Sequence, residues 1–113
     1  MGATVVIIDD DERFRALIRN LLNRRGFSVV AATADGTSGV AAVDRYHPDC
    51  ALIDVHLPDA DGYELAARLR HRHPELAVLV VSTDTDAADV PGVRFVAKDR
   101  IADADLGALF TDR

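Results

Sequence analysis

Five short apolar runs punctuate the chain, and the segments between them follow a different period. The runs read "VVII" (5–8), "FSVVAA" (27–32), "CALI" (50–53), "LAVLVV" (76–81) and "VRFVA" (93–97). The run at 76–81 contains no polar residue, as a strand buried on both faces requires. After the first run, Phe14, Leu17, Ile18, Leu21 and Leu22 recur at i, i+3, i+4, i+7 and i+8, the spacing of an amphipathic helix. Asp11 is its predicted N-cap, Arg24 and Arg25 suit the negative end of its dipole, and Gly26 suits a left-handed stop. A weaker helix carries Val40, Val43 and Tyr46 and ends at Pro48. A third presents Leu65 and Leu69 on one face and closes near Pro74, and a short C-terminal helix holds Leu106, Leu109 and Phe110. Strands alternating with helices predict βαβ units, hence a doubly wound α/β domain around a parallel sheet.

Right-handed crossovers put the carboxyl ends of all strands of such a sheet on one edge. Asp9 and Asp10 fall there after the first strand, Asp54 after the third, Ser82 after the fourth and Lys98 after the fifth. Ligands of open α/β sheets bind at that edge. Two carboxylates about 4 Å apart repel by roughly 4 kcal/mol at an effective dielectric near 20, so something must offset the crowding. An all-oxygen acidic pocket suits a hard cation, Mg²⁺ above softer metals. Asp11 and Glu12 read as helix N-terminal acids favoured by the macrodipole. Asp9 and Asp10, taken alone, fit either role. Removing either is expected to relieve repulsion and leave the metal-free protein at least as stable. With the charge neutralised, a carboxylate oxygen of Asp54 can attack phosphorus. Catalysis is then mostly positioning, with Lys98 as a point cation and Ser82 as a hydroxyl donor.

A chain of 113 residues is about right for one domain, read here as residues 1–113. No apolar run approaches the ~20 residues that span a bilayer, and the N-terminus lacks a signal peptide's pattern. The single cysteine, Cys50, excludes an intrachain disulfide and fits a reducing cytosol, so a cytoplasmic location is expected. A net charge of −6 disfavours binding to nucleic acid or an anionic membrane. Twelve of the thirteen basic residues are arginine, and Lys98 is the only lysine. His71 and His73 sit two apart on a helix and face different directions, so a metal role is not expected of them.

The chain resembles the receiver domain of bacterial two-component response regulators (CheY-like) over essentially its full length. "IIDDDERFR" is similar to the family's paired-acid start, and "DCALIDVHLPDADGYEL" to its phosphoacceptor strand and Pro–Asp–Gly loop. "VLVVST" resembles its hydroxyl-bearing fourth strand, and "RFVAK" its lysine-bearing fifth. The resemblance implies a five-stranded parallel sheet in order 2-1-3-4-5, the order of a known chemotaxis receiver. It implies Asp54 as phosphoacceptor and Mg²⁺ held by Asp9, Asp10, Asp54 and the backbone carbonyl of His56. Ser82 and Lys98 would bind the phosphoryl group, with Ser82 and Phe95 at the switch positions and the side chains of His56 and Asp84 tuning its lifetime. The donor would be a sensor histidine kinase or a phosphotransfer protein, and the output an unidentified downstream protein.

Three departures stand out. Asp99 follows Lys98 where proline is common, which makes a cis peptide improbable at a cost of ~2.5–4 kcal/mol. Thr83 follows Ser82 where a smaller residue is usual. Only ten residues, Thr83 to Gly92, separate the last two strands, so the fourth helix is expected to be shortened or absent. No effector domain fits after residue 113, so the chain reads either as a stand-alone regulator or as a receiver from a longer protein. The alternative functions are a Mg²⁺-dependent phosphohydrolase with an aspartyl nucleophile, and a degenerate receiver that acts only through protein contacts. Val55 and His56 after Asp54 depart from the Asp-x-Asp arrangement of one large phosphohydrolase group.

Overall fold

The computed structural model describes residues 2–83 and 92–111. Strands β1 (Thr4–Ile8), β2 (Ser28–Thr33), β3 (Cys50–Asp54), β4 (Ala77–Ser82) and β5 (Val93–Ala97) form one parallel sheet in the order β2-β1-β3-β4-β5. The predicted strands and their order are all present, each within a residue or two. The predicted change to the fourth helix falls on residues 84–91, outside the described residues.

Helices α1 (Glu12–Arg24), α2 (Gly36–Tyr46), α3 (Gly62–Arg72) and α4 (Leu106–Thr111) cover the sheet, and a 3-10 segment runs over Lys98–Asp103. Strand alternation sorts the core into two layers. Val6, Ile8, Ala51, Ile53, Val78 and Val80 face α2 and α3, whereas Val5, Ile7, Leu52, Leu79 and Val81 face α1 and α4. The central strands β1, β3 and β4 are buried almost throughout, while the edge strands β2 and β5 are half-buried. No helix among the described residues is long and apolar enough to cross a membrane.

Helix ends follow the sequence signals. The Asp11 carboxylate accepts from the Arg13 and Phe14 amides at 3.0 and 3.3 Å, so it is the N-cap of α1. Asp35 and Asp61 cap α2 and α3 in the same way. Gly26, at φ 88°, makes the left-handed exit from α1 that a side chain would resist. Helix α2 ends differently. His47 itself takes the left-handed conformation, φ 45°, immediately before Pro48. The peptide after Lys98 is trans, as expected of Asp99 in place of proline.

One residue of the α1 stripe does not reach the core. Ile18 and Leu22 are fully buried, but Leu17 is 56% exposed. The periodicity that placed all five apolar residues on one face covers more arc than the sheet can bury. Leu22→Ala should therefore cost about 2–5 kcal/mol in urea unfolding. Leu17→Ala should stay within about 0.5 kcal/mol of wild type.

Candidate functional site

The sheet brings the predicted polar residues together. Asp9 and Asp10 follow β1 directly, Asp54 and Ser82 are the last residues of β3 and β4, and Lys98 comes immediately after β5. Asp9, Asp54 and Ser82 are buried, at 0%, 5% and 1% exposure, while Asp10 is exposed. One carboxylate oxygen from each of Asp9, Asp10 and Asp54 lies within 4.8 Å of the others, and among the described residues only these three acids are grouped closely enough to share a metal ion.

Lys98 supplies the counter-charge. Its Nζ stands 2.8 Å from Asp9 Oδ2 and 3.5 Å from Asp54 Oδ1. The two oxygens of Asp9 are in different situations. Oδ1 accepts the Asp11 amide at 2.8 Å. Oδ2 faces the ammonium but accepts no aligned hydrogen bond among the described residues. A buried carboxylate oxygen without an aligned donor is costly and fits a site that can take a cation. The Asp9 backbone is pinned as well: its amide donates to the Thr33 carbonyl at 3.0 Å, and its carbonyl accepts from the Arg15 guanidinium at 2.8 Å.

Burial pushes the Asp54 carboxyl above its ordinary range; the Asp9 charge adds to the rise and Lys98 opposes it. Burial works against the Lys98 charge, but contact with Asp9 and the field of Asp54 more than offset this and leave its pKa raised.

The loop after Asp54 is tied down at both ends. The Val55 amide donates to Val81, the Gly62 amide donates to the Val55 carbonyl at 2.8 Å, and His56 bridges to Asp61. A Cβ on Gly62 would collide with the Asp54 carbonyl, so this close return needs glycine. Asp59, in the same loop, accepts from the Gly36 amide at 2.7 Å and from the Thr37 amide and hydroxyl at 3.0 and 2.9 Å. These donors, Gly36 first, hold its carboxyl below the ordinary range.

Of the remaining predicted residues, Ser82 pairs with Ala97 in register and Phe95 with Val80. Phe95 is half-buried against the α2–α3 layer of the core. His56 is exposed, as is Thr83, and Asp84 lies outside the described residues. His73 binds Asp44 at 2.8 Å next to the Arg72–Asp44 pair at 2.7 Å. A cleft of about 510 Å³ at that place lies at the amino edge of the sheet and touches none of the site carboxylates.

Three contributors escaped the sequence reading. Phe14 lies against Lys98, its ring centroid 4.4 Å from Nζ. Asp59 ties the loop to α2. Arg25, read as a helix-end charge, donates to the carbonyls of Ala102 and Ala104 and so anchors the segment that follows Lys98. Only Phe14 left a trace in the sequence, as the first residue of the apolar stripe beside the acids. The other two act across long stretches of chain.

Comparison with known proteins is consistent with this geometry. The family model for the response regulator receiver domain matches residues 5–101. The transcriptional regulatory protein DegU of Brevibacillus brevis is 38% identical over 90 residues, 79% of this chain and 38% of that protein. A protein-glutamate methylesterase/protein-glutamine glutaminase of Anaeromyxobacter dehalogenans is 35% identical over 108 residues, 91% of this chain and 32% of that protein. The chain therefore spans about a third of the length of these relatives. The signal receiver domain of the response regulator NarL from Mycobacterium tuberculosis superposes with a TM-score of 0.80 at 28% identity, covering 96% of this chain and 93% of that one.

The two acids after β1 are not interchangeable, contrary to the expectation that removing either would leave the metal-free protein at least as stable. Asp9→Ala strands the Asp11 amide and takes the nearer partner from a buried ammonium, so it should cost about 1–3 kcal/mol without metal. Asp10→Ala removes only an exposed like charge and should fall within about 0.5 kcal/mol of wild type. Chemical unfolding in chelator measures both.

Asp54 gives a pH test. Its native pKa lies above the ordinary 3.8, so the folded state holds this proton more tightly than the unfolded chain does. Its contribution to stability is therefore intact below 3.8 and is lost as pH rises through the native pKa. In chelator, Asp54→Asn should melt higher than wild type at neutral pH, and the gap should close as pH falls toward 3.8.

Proposed function

The chain belongs to the response regulator receiver domain family, and from that premise we propose that Asp54 is its phosphoacceptor. Receiver domains work in two-component signalling, and the phosphoacceptor reading fits this site. The observation that carries it is the meeting of two buried carboxylates, Asp9 and Asp54, with the only lysine of the chain, within 3.5 Å of its Nζ.

The chemistry follows from the residues present. An Asp54 oxygen attacks phosphorus in a phosphohistidine or an acyl phosphate. A new O–P bond forms as the P–N or P–O bond to the donor breaks, and the departing imidazole or carboxylate takes that electron pair. Asp9, Asp10, Asp54 and the His56 carbonyl would hold Mg²⁺, which when bound neutralises the acids and the incoming phosphoryl oxygens. Lys98 is already within reach of Asp54 Oδ1 and needs only a short movement to meet a phosphoryl oxygen there. Ser82, buried at the end of the neighbouring strand β4, would supply its hydroxyl to the phosphoryl group. Ser82 and Phe95 then act as the switch pair, and the side chains of His56 and Asp84 tune the phosphoryl lifetime.

On this reading the domain is a self-phosphorylating switch, not a turnover enzyme. Its donor is a sensor histidine kinase or a phosphotransfer protein in the cytoplasm, and its output is a changed contact with a downstream protein. The methylesterase and transcriptional activities named for its relatives belong to proteins about two to three times its length, and the match covers only 32% and 38% of them.

Intact-mass measurement after incubation with acetyl phosphate tests the assignment. Wild type should gain one phosphoryl group with Mg²⁺ and none in chelator, and Asp54→Asn should gain none. Equal labelling of wild type and Asp54→Asn would overturn it.

A further inference from the structure

Beside the two carboxylates, an uncharged group also lies against the Lys98 ammonium. The side chain of Lys98 is 13% exposed, and its Nζ is bounded by Asp9 Oδ2 at 2.8 Å, Asp54 Oδ1 at 3.5 Å and the Phe14 ring at 4.4 Å from the centroid. The ring is well placed to hold a cation. Phe14 sits in the first turn of α1, where its own amide donates to the Asp11 cap. Its side chain is half-buried against the α1–α4 layer of the core. The ring is therefore fixed to the same short stretch of chain that carries Asp9 and Asp10.

A lysine is a compact cation on a flexible four-carbon stem, and nothing in that stem selects one rotamer. An aromatic face attracts such a cation through its quadrupole, more strongly where water is excluded. The ring and the two carboxylates approach the ammonium as separate groups, and together they confine it. We propose that Phe14 is a positioning residue for Lys98: its ring holds the ammonium within reach of both Asp9 and Asp54, and so sets how readily a phosphoryl group is accepted at Asp54. The inference rests on the phosphoacceptor reading and extends it to a residue that acts through Lys98.

Because Lys98 is the only lysine, protein labelled with ¹³C-lysine gives a single side-chain ε-CH₂ signal. Next to the ring face, that signal should be displaced upfield by the ring current in wild type. Phe14→Leu keeps apolar bulk but removes the quadrupole, and should return the signal to the position of a free lysine. Phe14→Tyr should keep it displaced. With acetyl phosphate and Mg²⁺, the labelling rate of Asp54 should fall about 3- to 10-fold in Phe14→Leu and stay within about twofold of wild type in Phe14→Tyr. Phe14→Met serves in place of the leucine variant if the latter fails to fold.

An ε-CH₂ signal that is the same in wild type and Phe14→Leu would overturn the inference. So would a displaced signal with equal labelling rates in the two proteins, which would make the ring mere packing. A wild type that takes no phosphoryl group overturns the phosphoacceptor reading, and this inference with it. Wild-type labelling that the leucine variant matches overturns this inference alone.

Discussion

The structure depends on one ammonium placed between two buried carboxylates. Asp9 is fully buried and Asp54 nearly so. Two such charges at the end of a hydrophobic sheet would oppose folding if left alone, because transfer from water is costly and their repulsion adds to it. Lys98 touches Asp9 and reaches toward Asp54, so one cation serves both. The compensation is incomplete, since Asp54 still holds its proton more tightly than a free carboxyl does. On the proposed reading, a bound cation would relieve that residual cost, and it marks the place where stability and function pull apart.

The sheet order makes this arrangement possible. Asp54 ends the central strand β3, with β1 on one side and β4 on the other. Lys98 comes from beyond β4, at the end of β5, and crosses the tip of β4 to reach Asp9 on the far side of β3. The segment that follows it is anchored across the fold. Arg25 does this from the end of α1 by binding the carbonyls of Ala102 and Ala104. Asp59 does the equivalent for the loop after Asp54 by clasping the first turn of α2. The site is supported by helices on both faces of the sheet, and neither support lies next to the chemistry in sequence.

That separation explains what the sequence could and could not disclose. The strands, the caps at Asp11 and Gly26 and the convergence of Asp9, Asp10, Asp54, Ser82 and Lys98 on one edge all follow from local period and from the handedness of βαβ units. The unequal burial of Asp9 and Asp10 does not, because adjacent residues at a strand tip differ only once α1 is seated. The exposure of Leu17 was not legible for a related reason: a period identifies a stripe but not its width. Arg25 and Asp59 were illegible because each acts on residues far along the chain, and an arginine at a helix end or an acid in a Pro–Gly loop already has a sufficient local explanation. Lys98 itself drew attention by being the only lysine among twelve arginines. A flexible point cation can move between a carboxylate and a phosphoryl oxygen, where a planar guanidinium would bind one of them in a fixed fork.

Strand β5 is the element best placed to feel such a movement. Lys98 continues directly from it, and Phe95 lies three residues back, opposite Val80 of β4. The central strands are packed on both faces and bonded on both edges, so shifting any of them disturbs two core layers at once. β5 is bonded on one edge only and none of its residues is fully buried. Displacing its end therefore disturbs less of the core than displacing β1, β3 or β4. On the proposed switch reading, a pull on the Lys98 ammonium would reach the backbone of β5 first, and from there the ring of Phe95 three residues back. On that reading, the geometry that lets one lysine serve two carboxylates would also link phosphorylation at Asp54 to the edge strand of the sheet.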